Sequence, residues 1–214
     1  MNINISSVVI TNFLCYDSKV IYIIGGAKLR YKTKIGYAVV GYFDINSDKR
    51  IKTLWKSMAD IGVCDYLINS ANNPHIKLAM YHSLNIEQAK EHLNELCNKQ
   101  HKTDVHFKSY SFYPGDEPFI CLDASPSYKL LDLQAKVNEV CDILGEKDNR
   151  GFFDNGIWKP DCQLTVRIYK EKLAKIEKAT RFLCETELPF DGVLERIGII
   201  EFHPAEQLFD FSLL

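Results

Sequence analysis

The 214-residue chain has no long apolar run of the roughly 18 residues that a membrane-spanning helix needs, and its 25% charged residues are spread throughout. No basic stretch precedes an apolar segment within Met1 to Ile10, so a secretory leader is not expected. The seven cysteines have no CxxC spacing, and their odd number leaves one over from any complete set of disulfides. A reducing, cytoplasmic setting is the expectation. Seven prolines and eleven glycines are too few for a low-complexity or collagen-like chain. The formal net charge of -2 provides no overall attraction to nucleic acid. Against these absences, hydrophobic residues make up 46% and aromatics 12%, enough to fill one compact core or two small lobes sharing a cleft.

Charge is unevenly placed. Residues 1–60 carry nine Lys or Arg against four Asp or Glu; the remainder carries seventeen against twenty-four. Lys28, Arg30, Lys32 and Lys34 alternate with Ala27, Leu29, Tyr31 and Thr33. On a strand this puts four cations on one face, either as a surface for phosphate or as ordinary protection of an edge. Residues 1–34 read as an N-terminal extension forming a hairpin, with Val20–Ile24 as one strand and Gly25-Gly26 at the turn.

Residues 35–214 alternate strand and helix patterns. Gly36 to Phe43 is an apolar strand. Ile51, Leu54, Trp55 and Met58 form one stripe of a helix over 47–61. A strand at His75–Tyr81 precedes a helix capped at Asn85, with Gln88 three positions on. Strands follow near 105–112 and 119–123, then a helix opened by Ser127, a loop over 145–160, a strand around Cys162–Ile168, and a helix over 171–184. Two strands near 193–202 and 207–213 follow. Adjacent strands favour an α+β fold with antiparallel pairing over a parallel doubly wound sheet.

Two segments share one shape. Pro74-His75-Ile76-Lys77-Leu78 puts His75 and Lys77 on one strand face; Pro160-Asp161-Cys162-Gln163-Leu164, 86 residues later, does the same with Asp161 and Gln163. A pseudo-two-fold arrangement would bring both polar faces to one cleft. Polar faces at two sheet edges are the plainer alternative.

Here the chain resembles the two-histidine (2H) phosphoesterase superfamily, the LigT-like or 2′-5′ RNA ligase-like proteins. That family carries two Pro-His-x-Thr/Ser motifs, each opening a strand, the second often within Trp-x-Pro-His-Cys-Thr-Leu. Trp158-Lys159-Pro160-Asp161-Cys162-Gln163-Leu164 fits that frame at Trp, Pro, Cys and Leu. AVVGYFD, NPHIKLAMY, NIEQAKEHLNEL, SYSFYP and FICLDAS match its order, so the resemblance spans about 35–214. It implies an α+β fold: two lobes of antiparallel sheet with outer helices around a central, pseudo-two-fold cleft. It also implies acid–base chemistry on a cyclic phosphate or 2′-5′ phosphodiester, shared between two histidines.

The motifs depart from the family at three of four polar positions. His75 is retained, Lys77 replaces the first hydroxyl, Asp161 the second histidine, and Gln163 the second hydroxyl. The resemblance therefore implies a degenerate site. It would bind a nucleotide, a cyclic nucleotide or an RNA end through His75, Lys77, Asp161, Gln163 and Arg167, with little or no hydrolysis. The alternatives are an active phosphodiesterase using His75 and Asp161, and an interaction module with a vestigial cleft. Lys77 and Asp161 are expected to pair across the cleft, and Arg167, six residues after Asp161, to lie on its strand face. Tyr42, Phe112 and Tyr113 are candidate base-stacking surfaces, with core positions as the alternative. No cofactor is expected, because Gly25-Gly26 lacks the rest of a nucleotide-binding fingerprint. No metal is expected either: His92, Cys97, His101 and His106 match no standard zinc spacing. No membrane partner is implied.

Overall fold

A computed structural model describes residues 19–24, 27–32, 36–148, 150–168, 171–202 and 205–214. Near the N-terminus, β1 (Lys19–Ile24) and β2 (Ala27–Lys32) pair antiparallel. Gly25, Gly26 and Lys34 lie outside the described residues. The remaining elements are β3 (Tyr37–Phe43), α1 (Ile45–Asp60), α2 (Tyr66–Asn69), β4 (His75–Leu84), α3 (Ile86–Cys97), β5 (Thr103–Tyr113) and β6 (Phe119–Ala124). They continue with α4 (Tyr128–Cys141), β7 (Gly145–Lys147), β8 (Asp161–Gln163), α5 (Lys172–Cys184), β9 (Phe190–Glu201) and β10 (Glu206–Ser212).

The helices start where local chemistry satisfies their free N–H groups. Asp44 accepts from Asn46 and Ser47 N–H at the start of α1. Asn85 accepts from Gln88 N–H before α3, and Ser127 from Leu130 N–H before α4. Gln88 reciprocates through its side chain, accepting from Asn85 Nδ2, because Asn85 N–H donates instead to Leu144 O. The α1 stripe of Ile51, Leu54, Trp55 and Met58 is buried. Each such side chain contributes about 1.5–3 kcal/mol relative to leaving it in water.

All strand pairs are antiparallel, in the order β7-β4-β3-β9-β5-β6-β8, with β10 also on β9. The fold is α+β and two-lobed. The two sheets are not separate, however, because β9 serves both. Its first part, Phe190–Leu194, pairs with β5; its later part pairs with β3 and β10. At 12 residues it is long enough to take β5 and β10 in succession. One face of β3 and β4 is covered by helices and holds Val39, Phe43, Ile76 and Leu78. The opposite face carries a smaller cluster of Ala38, Val40, Tyr42, Met80, Ile200 and Phe202.

A bulge in β4 sets what this second face presents. Val40 pairs with Lys77 and Val39 with Ala79, so Leu78 is the extra residue. Leu78 and Ala79 consequently both enter the helix-side core, and Met80 turns to the other face. Strict alternation from His75 stops there, which is why the segment reads as a continuous apolar run.

Candidate functional site

Pro74 is buried and immediately precedes β4. His75 follows, half-buried, with Nδ1 2.7 Å from Asn73 O. That contact assigns the ring proton to Nδ1 and leaves Nε2 as the lone-pair nitrogen. Tyr42, opposite His75 on β3, stands edge-on at 6.1 Å between ring centroids. Burial, helped by the positive charge of Lys77, pushes the His75 pKa down to about 4; the bond to Asn73 O works the other way. The imidazole is thus neutral at physiological pH and able to accept a proton.

The second motif supplies β8. Lys77 Nζ donates to Gln163 Oε1 at 3.0 Å, bridging the two motifs. Asp161 Oδ2 accepts from Tyr113 Oη at 2.6 Å. Burial raises the Asp161 pKa against the Tyr113 bond and the charges of Lys77 and Lys159, and neighbouring Asp123 adds to the rise. Asp123 lies directly opposite Asp161 in the β6–β8 ladder. It is held by Lys159 Nζ at 2.8 Å and Ser111 Oγ at 2.6 Å. The bonds seen for Lys77 and Asp161 therefore go to Gln163 and Tyr113. The charge of Lys77 acts on Asp161 at longer range, and Asp161 and Asp123 sit side by side in the ladder.

Two tryptophans cross-link the motifs. Trp158, just before the second motif, donates its indole N–H to Lys77 O of the first at 2.9 Å. Trp55, from α1 ahead of the first motif, donates to Gln163 O of the second at 2.8 Å. Each central carbonyl is held from the other half of the chain.

Arg167 departs from expectation. The ladder of β8 ends at Gln163. Leu164 and Thr165 N–H both point to Ile120 O, and Thr165 Oγ1 accepts from Ile120 N–H. The chain then passes through a left-handed conformation at Arg167, φ 46°. Alternation from Asp161 does not extend to it; its guanidinium lies 3.8 Å from Glu117. Of the candidate stacking residues, Tyr42 is a buried core residue, Phe112 is exposed, and Tyr113 stacks on Phe119 at 4.5 Å while bonding Asp161. Sequence reading missed the Tyr113 bond, Asp123, Lys159 and the Trp55 tether. The only local signal was the Ser-Tyr-Ser-Phe-Tyr alternation, which puts Ser109, Ser111 and Tyr113 on one strand face.

A hollow of about 360 Å³ lies elsewhere, by the start of α1, lined by Asp44, Arg50, His106 and Asp191 among others and by none of the motif residues. Among the described residues no group of three or more metal-ligating side chains is assembled, and no helix is long and apolar enough to cross a membrane.

Two consequences are measurable. The His75 imidazole should show no titration between pH 5 and 8 in NMR spectra. Unfolded, it titrates near 6.5; folded, near 4. Unfolding therefore takes up a proton between these values, and stability falls as pH drops through that window, by up to about 3 kcal/mol. Loss of this pH dependence in His75→Gln assigns it. For Asp161 the sign is opposite: its raised pKa costs stability once pH rises above the unfolded carboxyl value. Asp161→Asn, which keeps an oxygen for Tyr113, should therefore raise the urea midpoint at pH 7 and leave it unchanged at pH 3. A lowered midpoint at pH 7 would contradict the burial argument.

No protein-family model and no curated protein matches the sequence. Solved structures do. Escherichia coli LigT complexed with 3′-AMP aligns with TM-score 0.54 and 12% identity, over 83% of this chain and 97% of that one. The Thermus thermophilus protein TT0787 aligns with TM-score 0.53 and 14% identity, over 83% and 97%. A structure described as a phosphoesterase aligns with TM-score 0.51 and 12% identity, over 84% and 98%. The fold of this chain is that of the two-histidine phosphoesterases.

Proposed function

We propose that this chain, built on the two-histidine phosphoesterase fold, binds a nucleotide, cyclic nucleotide or RNA phosphate between its two motif strands and hydrolyses it poorly or not at all. The observation that carries this reading is the bridge of Lys77 to Gln163, with His75 beside one and Asp161 beside the other. One side of the site carries a cation in place of the first hydroxyl, and a neutral histidine. The other has exchanged a histidine and a hydroxyl for a carboxylate and an amide.

The chemistry follows from those groups. A phosphate displaces Gln163 from Lys77, whose ammonium is the stronger partner for an anion. His75 contributes a neutral ring nitrogen, but with its pKa pushed down to about 4 it is a weak acceptor for a proton from water or a 2′-hydroxyl. The reaction also needs a donor to the leaving oxygen, the role of the family's second histidine. In its place stands Asp161, whose pKa burial raises. As a carboxylate it donates nothing and repels the phosphate. The nucleotide in the LigT structure supports the ligand class.

A second reading is favoured by one observation, the rise in the Asp161 pKa. A protonated Asp161 would serve as the acid with His75 as the base, and the chain would be a slow 2′,3′-cyclic or 2′-5′ phosphodiesterase working best at acid pH. One experiment separates the readings. Calorimetry with 3′-AMP is paired with a turnover assay on 2′,3′-cyclic AMP from pH 4 to 8. Binding weakened by Lys77→Met, without turnover, supports the first. Turnover rising toward acid pH and abolished by His75→Ala supports the second. Absence of both binding and turnover refutes both.

A further inference from the structure

We propose that Arg196 forms a second phosphate subsite beside the motif cleft, so that the ligand is a nucleoside unit carrying two separated phosphoryl groups. The inference rests on the binding reading above and extends it to the ligand's size. His75, Tyr42 and Arg196 lie directly opposite one another across three adjacent strands, Tyr42 pairing with His75 on β4 and with Arg196 on β9. Directly opposed residues share a sheet face. The side chains confirm the row: the Tyr42 ring meets His75 edge-on at 6.1 Å, and the Arg196 guanidinium carbon lies 5.1 Å from the centroid of that ring. Arg196 is therefore a cation on the face that presents His75 and Lys77, contributed from far along the chain.

Arg196 is placed to bind an anion. Its side chain is partly exposed, and Nη1 donates to Asp210 Oδ2 at 2.7 Å. Asp210 also accepts from Gln207, so the acid's capacity is shared. A guanidinium has five N–H donors in a fixed fork, and one ion pair leaves several for a phosphate. The buried Tyr42 ring lies between Arg196 and His75 in this row.

The spacing gives the ligand class. Arg196 and His75 are two strand separations apart, roughly 10 Å at the backbone, with an aromatic ring between. One phosphate group does not span that distance, whereas two phosphates joined through one nucleoside do. A mononucleotide with a single phosphate would occupy the His75–Lys77 side and leave Arg196 unused.

The test compares adenosine 3′,5′-bisphosphate with adenosine 3′-monophosphate by calorimetry at several salt concentrations. The expected result is about ten- to hundredfold tighter binding of the bisphosphate. Arg196→Gln should bring the bisphosphate down to the monophosphate's affinity and leave the monophosphate unchanged. It should also weaken the salt dependence of bisphosphate binding, because one cation–phosphate contact is lost. Asp210→Asn removes the competing carboxylate and should widen the bisphosphate's advantage, which keeps the idea testable if Arg196→Gln folds poorly. Equal affinity of the two ligands for the unaltered protein, or an advantage that survives Arg196→Gln, overturns the Arg196 subsite while Lys77-dependent binding still stands. If neither ligand binds, the binding reading fails and the subsite with it.

Discussion

Changing Lys77 and Gln163 to Thr and Asp161 to His should give the protein 2′,3′-cyclic phosphodiesterase activity about 10²–10⁴-fold above the unaltered chain, the usual contribution of one positioned acid–base group. The backbone for this is already in place. β4 and β8 each open after a buried proline; Trp158, just before β8, bonds Lys77 O of β4, and Trp55 of α1 bonds Gln163 O of β8. A histidine at 161 would stand where Tyr113 Oη now bonds the carboxylate. That hydroxyl could donate to a neutral ring nitrogen or accept from a protonated one, so the exchange strands no buried group. Removing Lys77 takes away the charge that, after burial, most lowers the His75 pKa. The His75 ring should then titrate closer to neutrality and the pH optimum move up with it. Asp161→His alone should recover less, because Lys77 would still occupy the first hydroxyl's position. The measurement is initial rate against pH for a cyclic nucleotide, with His75→Ala added to the triple variant as control. A triple variant that folds, binds nucleotide and remains inactive would mean that the cleft spacing, and not only its chemistry, has diverged.

Trp158→Ala should cost about 3–5 kcal/mol of stability, the range for truncating a large buried aromatic. Trp158 is 6% exposed, and its indole N–H is the bond to Lys77 O across the two lobes. Trp158→Phe divides the effect. It retains much of the ring burial and deletes the bond, leaving Lys77 O without this donor, so about 1–3 kcal/mol is expected from that part. Urea denaturation of the three proteins measures both. The tether also predicts where the damage appears: amide exchange in Trp158→Phe should rise at His75–Leu78 before it rises in α3 or α4. A uniform rise would mean that Trp158 supports the core generally and does not hold the motif strand.

What the sequence made legible was local. The caps at Asn85 and Ser127 and the stripe through Ile51, Leu54, Trp55 and Met58 depend on residues within a few positions of each other. So does the alternation that puts His75 with Lys77 and Asp161 with Gln163. The pairing of the two motifs needed the repeated Pro-led shape, and the bond from Lys77 to Gln163 joins the segments so matched. What escaped depends on distant partners. The bulge at Leu78 arises from the ladder with β3 and has no glycine or proline to mark it. The end of β8 at Gln163 follows from Thr165 bonding Ile120, so alternation from Asp161 does not carry as far as Arg167. Arg196 reaches the row of His75 only because β3 lies between their strands.

Because β9 runs unbroken through both halves of the molecule, the two halves have no linker about which to swing. Closing on a ligand by hinge motion would require bending a paired strand and breaking ladder bonds to β3, β5 or β10. Recognition should therefore proceed on a cleft of nearly fixed width, with rearrangement confined to side chains such as Lys77 and Gln163. A preorganised cleft of this kind would lose little conformational entropy on being filled, and its selectivity would then lie in rejecting ligands of the wrong length, not in wrapping around them.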